Sequence, residues 1–152
     1  MEPKRSQNPR KFFSNAEKQK IVDAIKAAEK QTSGEIRLHL EKRSREPVMD
    51  RAVRIFNKLG MGKTALKNGV LIYLATASHE FVILGDRGMN EAVPENFWND
   101  IAGRMSQLFK EDKFCDGVCG GITMIGEKLK AHFPHLADDR DELANDISIE
   151  DR

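Results

Sequence analysis

The hydrophobic and polar positions of the chain follow two different periods, and each change of period marks a new element. Ser14 followed by Glu17 has the pattern of a capping box, and the apolar residues behind it recur at helical spacing until Thr32-Ser33-Gly34. From Glu35 the pattern becomes strict alternation, with apolar residues at positions 36, 38 and 40. This change predicts a helix that is followed by a half-buried strand.

The middle of the chain contains two apolar runs of strand length. A short amphipathic helix that ends at Gly60 precedes them, and Asn68-Gly69 opens the first run at residues 70–75. The second run, residues 81–84, follows at hairpin distance. Continuous apolar runs are typical of strands that are covered on both faces. We therefore predict that the crossover makes the first two strands parallel and that the second and third strands pair antiparallel.

The rest of the apolar pattern predicts two further helices. Pro94 can occupy the first turn of one helix and Asp116 can cap the other, while Gly120 and Gly121 indicate close packing of the last helix against a neighbour. The resulting order of elements predicts an α/β fold. We expect a three-layer sandwich with a mixed, mostly parallel sheet, an antiparallel hairpin and helices on both faces.

Length and charge limit the number of domains and the classes of partner, but they do not identify a function. The 152 residues suit one folded unit, which we divide into a basic flexible N-terminal tail at 1–11, an α/β domain at 12–136 and an acidic C-terminal extension at 137–152. The net charge of +1 provides no field for nucleic acid, and no apolar stretch is long enough for a membrane span. We therefore expect a cytoplasmic protein without a nucleic-acid or membrane partner.

Two motifs that suggest other chemistry do not fit the patterns they resemble. Residues 60–64 end like a phosphate-binding loop, but Asn57 stands where its leading glycine is required, and a strand follows where a helix is needed. Cys115 and Cys119 lack the spacing of a zinc finger and are typical of small buried thiols. We therefore expect neither nucleotide binding nor a cysteine zinc site.

Strand direction gathers three oxygen-bearing side chains at one edge of the predicted sheet. The two parallel strands begin there with Glu35 and Asn68, and the antiparallel third strand ends there with Asp86. Carboxylate, amide and loop carbonyl oxygens are ligands for hard cations. The plainer interpretation is a strand start, a turn and a loop in which Asp86 is solvated or paired with Arg87. Ligands of open α/β sheets also favour the opposite, carboxyl ends of parallel strands.

Several elements of the chain stand in a characteristic order between about residue 12 and residue 147. They are Thr32-Ser33-Gly34-Glu35-Ile36-Arg37, Asn68-Gly69-Val70-Leu71-Ile72, Gly85-Asp86-Arg87-Gly88, Trp98, Phe133-Pro134 and Glu142-Leu143. In this order and spacing the chain resembles the TPM domain of thylakoid-lumen and bacterial envelope proteins, in its short, stand-alone bacterial form.

The resemblance implies a function as well as a compact α/β sandwich. Some relatives bind calcium or magnesium in an acidic pocket, and the plant branch has a weak acid phosphatase activity. The metal role transfers to Asp86 and Glu35, with Asn68 and Thr64 in support. The leading expectation is therefore a divalent-metal-binding domain, in which calcium is favoured over magnesium because loop carbonyls form flexible cages.

Two alternatives stay open beside metal binding alone. The first is a weak metal-assisted acid phosphatase, in which the cation polarises a phosphoryl oxygen and Arg87 steadies the phosphate, although the sequence provides no dedicated nucleophile or base. The second is a protein–protein adaptor, or an assembly and repair module, with a structural metal site. The sequence leaves the physiological substrate, the protein partner and any catalytic residue unassigned.

Overall fold

The strands form a four-stranded mixed sheet in the computed structural model, which describes residues 5–135 and 146–150. The strands are β1 (Glu35–Glu41), β2 (Gly69–Ala75), β3 (Phe81–Gly85) and β4 (Ser148–Glu150), in the spatial order β3-β2-β1-β4. Strand β1 pairs parallel with β2 and with β4, whereas β2 and β3 form an antiparallel hairpin. The predicted parallel crossover and the predicted hairpin are confirmed.

Helices cover both faces of this sheet. They are α1 (Asn15–Glu29), α2 (Val48–Lys58), α3 (Arg87–Ala92), α4 (Asn99–Lys110) and α5 (Phe114–His132), with a short 3-10 helix at Met61–Lys63. A larger apolar core lies between the sheet and α1, α4 and α5, and a smaller core lies between the sheet and α2. The predicted three-layer sandwich is confirmed. No helix in the described part of the chain has the length and apolar surface needed to span a bilayer.

The alternation of β1 sends two kinds of side chain to two different faces. Its apolar residues enter the larger core and are fully buried. Its polar residues, which we call the polar stripe, lie on the α2 face: Glu35, Arg37, His39 and Glu41. Three members of the stripe are at most 4% exposed. The prediction of a half-buried strand is therefore wrong, because the layer that contains α2 covers the polar face as well.

The two helix starts that the sequence suggested have different outcomes. The capping box of α1 is confirmed, since Glu17 N–H donates to Ser14 Oγ (3.1 Å) and Ser14 N–H donates to Glu17 Oε1 (2.9 Å). The cap at Asp116 is wrong, because α5 begins two residues earlier at Phe114. The left-handed backbone of Asp112 (φ 60°) turns the chain sharply and allows this early start. The Asp116 carboxylate still lies in the first turn, where the helix dipole favours it.

Pro94 does not begin the helix that follows it. The Phe97 N–H donates to the Pro94 carbonyl (3.0 Å) and closes a turn, and α4 begins only at Asn99. The prediction that Pro94 lies in the first helical turn is therefore wrong.

Both predicted terminal segments contain ordered structure. Ser148–Glu150, inside the predicted acidic extension, forms β4 on the edge of β1. Arg5, inside the predicted N-terminal tail, donates to both carboxylate oxygens of Glu17 (2.9 and 3.2 Å) and lies over the ring of Phe12. The acidic run at 138–142 and the Glu142-Leu143 element lie outside the described residues.

Candidate functional site

Glu35, Gly69 and Asp86 form a row across the edge of the sheet that the sequence singled out. Glu35 pairs in register with Gly69, and the Asp86 N–H donates to the Gly69 carbonyl (2.9 Å) one residue past β3. Opposite residues of a sheet share a face, so the two carboxylates flank a residue that has no side chain. Two strand spacings separate them by about 10 Å at the backbone, a span that two acidic side chains and one ion can bridge.

Two side-chain oxygens, one in the row itself and one in the loop that leads to Gly69, are buried without a hydrogen-bond partner among the described residues. They are Thr64 Oγ1 and Asp86 Oδ2. Thr64 is 1% exposed, and Asp86 uses its other oxygen to cap α3 by accepting from the Arg87 N–H (2.7 Å). Most buried polar atoms have a partner, and a bound cation is one group that satisfies such oxygens.

The loop that carries Thr64 packs against the start of α3 at Gly88. A Cβ atom at Gly88 would lie 2.3 Å from the Leu66 carbonyl oxygen and 2.6 Å from that of Lys67. Lys67 adopts a left-handed backbone (φ 52°), which turns the loop back toward β2. Backbone carbonyls therefore lie close to the helix that Asp86 caps.

The side chain of Asn68 is engaged on the other side of the row. Its backbone carbonyl accepts from the Glu35 N–H (3.4 Å), and its side-chain amide donates to Ser33 Oγ (3.3 Å). It precedes Gly69, so strand alternation directs it away from the face that Glu35 and Asp86 share. The fold thus brings the two carboxylates to one edge of the sheet and the Leu66 and Lys67 carbonyls to the start of α3, while the amide of Asn68 turns toward Ser33.

A second polar group lies at the opposite end of the polar stripe. His39 and Glu41 of β1 meet Glu150 of β4, and one ligand atom from each lies within 4.8 Å of the others. His39 and Glu41 are 1% and 0% exposed. One imidazole and two carboxylates in this arrangement could hold a metal ion. Six residues of strand separate this group from Glu35, a distance of about 20 Å.

Basic side chains and a tyrosine hold the two carboxylates of this group. Arg51 of α2 donates to both oxygens of Glu41 (2.8 and 2.9 Å) and also to Glu150 Oε2 (2.6 Å). The Tyr73 hydroxyl donates to Glu41 Oε2 (2.5 Å), and the ammonium group of Lys58 contacts Glu150 Oε1. Arg51 therefore ties α2 to two strands at once.

These contacts shift the pKa values of the group in different directions. Burial by itself would raise the pKa of Glu41, but the hydrogen bonds from Arg51 and Tyr73 outweigh it and hold the pKa below its ordinary value. The hydrogen bond from Lys58 lowers the pKa of Glu150. Burial lowers the pKa of His39 by more than the nearby carboxylates raise it, which favours the neutral imidazole.

Sequence reasoning missed this second group. Alternation places His39 and Glu41 on one face, but we assigned that face to solvent and placed Glu150 in the acidic extension. One signal indicates that the polar face of β1 is buried. The apolar runs of β2 and β3 require helices on both faces of the sheet, and those helices also cover the neighbouring strand β1. No local pattern indicated that Glu150 returns to pair with Glu41.

The fold and the chain pattern are shared with known proteins. A family model of the TPM domain matches residues 7–128. The chain belongs to the TPM-domain family. No curated protein matches this TPM domain.

Solved structures resemble this TPM domain over most of its length. The NMR structure of the BA42 protein from the psychrophilic bacterium Bizionia argentinensis is 47% identical, covers 91% of this chain and 96% of its own, and superposes with a TM-score of 0.88. The N-terminal domain of a P. gingivalis protein is 19% identical, covers 82% of each chain and has a TM-score of 0.66. The N-terminal domain of a Corynebacterium glutamicum protein is 12% identical, covers 76% and 73%, and has a TM-score of 0.60. These last two likenesses show the fold alone.

Proposed function

We propose that this TPM domain binds a divalent cation, calcium or magnesium, at the edge where β1 and β2 begin. Glu35 and Asp86 would be its anionic ligands and Thr64 Oγ1 a neutral one, with loop carbonyls completing the oxygen shell. Asn68, whose amide turns toward Ser33, would support this shell without entering it. One observation carries the proposal: Asp86 Oδ2, in the row where Glu35 and Asp86 flank Gly69, and Thr64 Oγ1, in the loop that leads to Gly69, are buried without hydrogen-bond partners among the described residues.

The chemistry of these donors fits a hard cation. All of them are oxygens, and two are carboxylates whose repulsion a divalent ion would relieve. Calcium suits the set better than magnesium, because carbonyls from a loop such as Leu66-Lys67 form an adaptable shell rather than a strict octahedron. The bound ion would supply positive charge and fix the loop against α3.

Asp86→Asn tests this proposal with little risk to the fold. Asparagine caps helices as well as aspartate does, so the variant keeps the cap of α3 and removes only the negative charge. We expect calcium to shift the backbone amide signals of residues 35, 64 and 86 in the unmodified protein. In the variant we expect binding to weaken by about ten-fold or more, since an anionic ligand is lost.

Asp100→Asn is the matched control, because Asp100 also lies in the first turn of a helix but its side chain is 59% exposed. It should leave the calcium titration unchanged. Amide shifts confined to other regions, or equal calcium affinity of Asp86→Asn and the unmodified protein, would overturn the proposal.

The weak acid phosphatase stays an alternative prediction and needs the same cation. If it is correct, turnover of a simple phosphate ester requires the metal and falls together with calcium or magnesium binding in Asp86→Asn. Turnover that survives this variant would assign the activity to another site. The adaptor role also stays a prediction.

A further inference from the structure

We propose that His39, Glu41 and Glu150 form a second metal site, which takes a borderline divalent ion such as Zn²⁺. It differs from the first site in its chemistry, because an imidazole nitrogen replaces the all-oxygen shell, and nitrogen donors favour zinc and its neighbours over calcium. This proposal does not rest on calcium binding at the first site, from which it lies about 20 Å away along β1.

The imidazole of His39 carries the proposal. Its Nδ1 lies 2.8 Å from Ser148 Oγ, while Nε2 is buried without a hydrogen-bond partner among the described residues. Metal-bound histidines commonly use one ring nitrogen for the ion and fix the ring through a hydrogen bond from the other. Ser148 can provide that second contact by accepting from Nδ1–H, and the ion would then take the Nε2 lone pair on the side of the carboxylates.

The spacing of the donor atoms suits a tetrahedral ion. Two ligands about 2.1 Å from zinc lie about 3.4 Å apart, and His39 Nε2 is 3.6 Å from Glu41 Oε1. At that distance the pair is too long for a hydrogen bond. The remaining separations, up to 4.8 Å, close if Glu150 moves by about 1 Å, and Glu150 is on a short strand at the edge of the sheet.

The two basic side chains would have different effects on metal binding: Arg51 would support the ligands, and Lys58 would compete with the ion for Glu150. Arg51 donates to both oxygens of Glu41 and to one oxygen of Glu150, so it would hold the two ligands together from behind as an outer-shell donor. Lys58 contacts Glu150 Oε1, and its own side chain is 65% exposed. Because an exposed ammonium group returns to water at little cost, the ion can displace Lys58 without disturbing Arg51.

The position of these residues in the sheet also supports a zinc site. Glu41 and Glu150 stand at the carboxyl ends of two parallel strands, which is where open α/β sheets usually bind their ligands. Bound to both strands, the ion would fasten β4 to β1 and so hold the C-terminal strand on the sheet. Added zinc should therefore slow hydrogen exchange of the β4 amides.

The test is a titration of the full chain with ZnCl₂, followed by calorimetry and by ¹⁵N spectra of the imidazoles. We expect one zinc ion per chain, a His39 ring protonated at Nδ1, and a zinc-induced shift of its Nε2 signal. His39→Gln should weaken zinc binding by about ten-fold or more. Lys58→Met should strengthen it by about three-fold, because it removes the competitor.

His79→Asn is the matched control for adventitious binding to histidine. His79 is exposed and has a left-handed backbone (φ 66°), which asparagine tolerates, so this variant should bind zinc like the unmodified protein. Glu150→Gln is examined alongside His39→Gln and should also lose about ten-fold or more, which keeps the test valid if His39→Gln does not fold.

Asp86→Asn separates the two metal proposals. It should retain zinc binding while it loses calcium binding. Zinc affinity that is unchanged in His39→Gln and Glu150→Gln, an unprotonated Nδ1, or weaker binding in Lys58→Met would overturn the zinc site and leave the calcium proposal unaffected.

Discussion

At the scale of single residues, two neighbouring glycines of α5 meet different surroundings. A Cβ atom on Gly121 would lie 2.5 Å from Met105 Sδ, so the predicted close packing against a neighbour is confirmed there. Nothing lies within 4 Å of a Cβ on Gly120, where the same prediction is wrong. Successive residues of a helix point about 100° apart, so only one of the two can face α4.

Gly88 has a more demanding position, because loop carbonyls occupy the space that a Cβ would need. We predict that Gly88→Ala lowers the free energy of unfolding by about 1–3 kcal/mol and weakens calcium binding, since the loop must move away from α3. Urea denaturation and a calcium titration measure the two effects.

Gly103→Ala is the control for this change, because nothing lies within 4 Å of its Cβ position in α4. It should stabilise the protein by up to about 1 kcal/mol, as alanine does in helices. Equal stability of Gly88→Ala and the unmodified protein would contradict the packing of the loop.

At the scale of elements, α1 shows how a short local motif defines a helix end. Both hydrogen bonds of the capping box are present, and Arg5 adds a bidentate contact to the same Glu17. The N-terminal segment therefore continues the cap rather than leaving the helix end to solvent. Helix α1 packs against α5, and its Ile21 and Ile25 lie in the larger core.

We predict that Ser14→Ala lowers the free energy of unfolding by about 1 kcal/mol, because the Glu17 N–H loses its acceptor. Ser106→Ala, inside α4, should not destabilise the protein, since alanine favours a helix interior more than serine does. Chemical denaturation measures both. A loss of the same size in the two variants would show that the cap has no special role.

At the scale of the whole molecule, the contacts of Arg51 join three parts of the chain that are distant in sequence. Its guanidinium group connects α2 with Glu41 on β1 and Glu150 on β4, and its side chain is 9% exposed. Removing one partner of a buried ion pair leaves the other charge buried and uncompensated. We call these contacts of Arg51 with Glu41 and Glu150 the clamp. The clamp therefore stabilises the packing of α2 on the sheet and the pairing of β4 with β1.

We predict that Arg51→Met costs about 3–5 kcal/mol of unfolding free energy at pH 7 in the presence of EDTA. Arg54→Met is the control on the same helix, since the side chain of Arg54 is 69% exposed and its pair with Glu46 should contribute at most about 1 kcal/mol. Urea denaturation of both variants checks the difference. Similar losses for the two would contradict a buried clamp.

The same clamp predicts a pH dependence. The folded-state pKa of Glu41 lies below its ordinary value of 4.5, so its contribution to stability is present above that pH and is lost as the pH falls through the folded pKa. Without Arg51, burial raises the pKa of Glu41 instead. The deficit of Arg51→Met should therefore shrink between pH 7 and pH 4, and a deficit that grows would contradict this assignment.

The sequence by itself determined the first three strands, their directions and most of the helices, because period and capping are local properties of the chain. Alternation from Glu35, the apolar runs and the crossover rule were enough to predict that Glu35 and Asp86 lie at one edge of the sheet. Only the tertiary structure decided which polar residues are buried and what they contact. The meeting of His39, Glu41 and Glu150 depends on a strand more than 100 residues further along the chain. Such long-range pairing depends on contacts between distant parts of the chain, and the local periodicity of the sequence does not indicate which parts will meet.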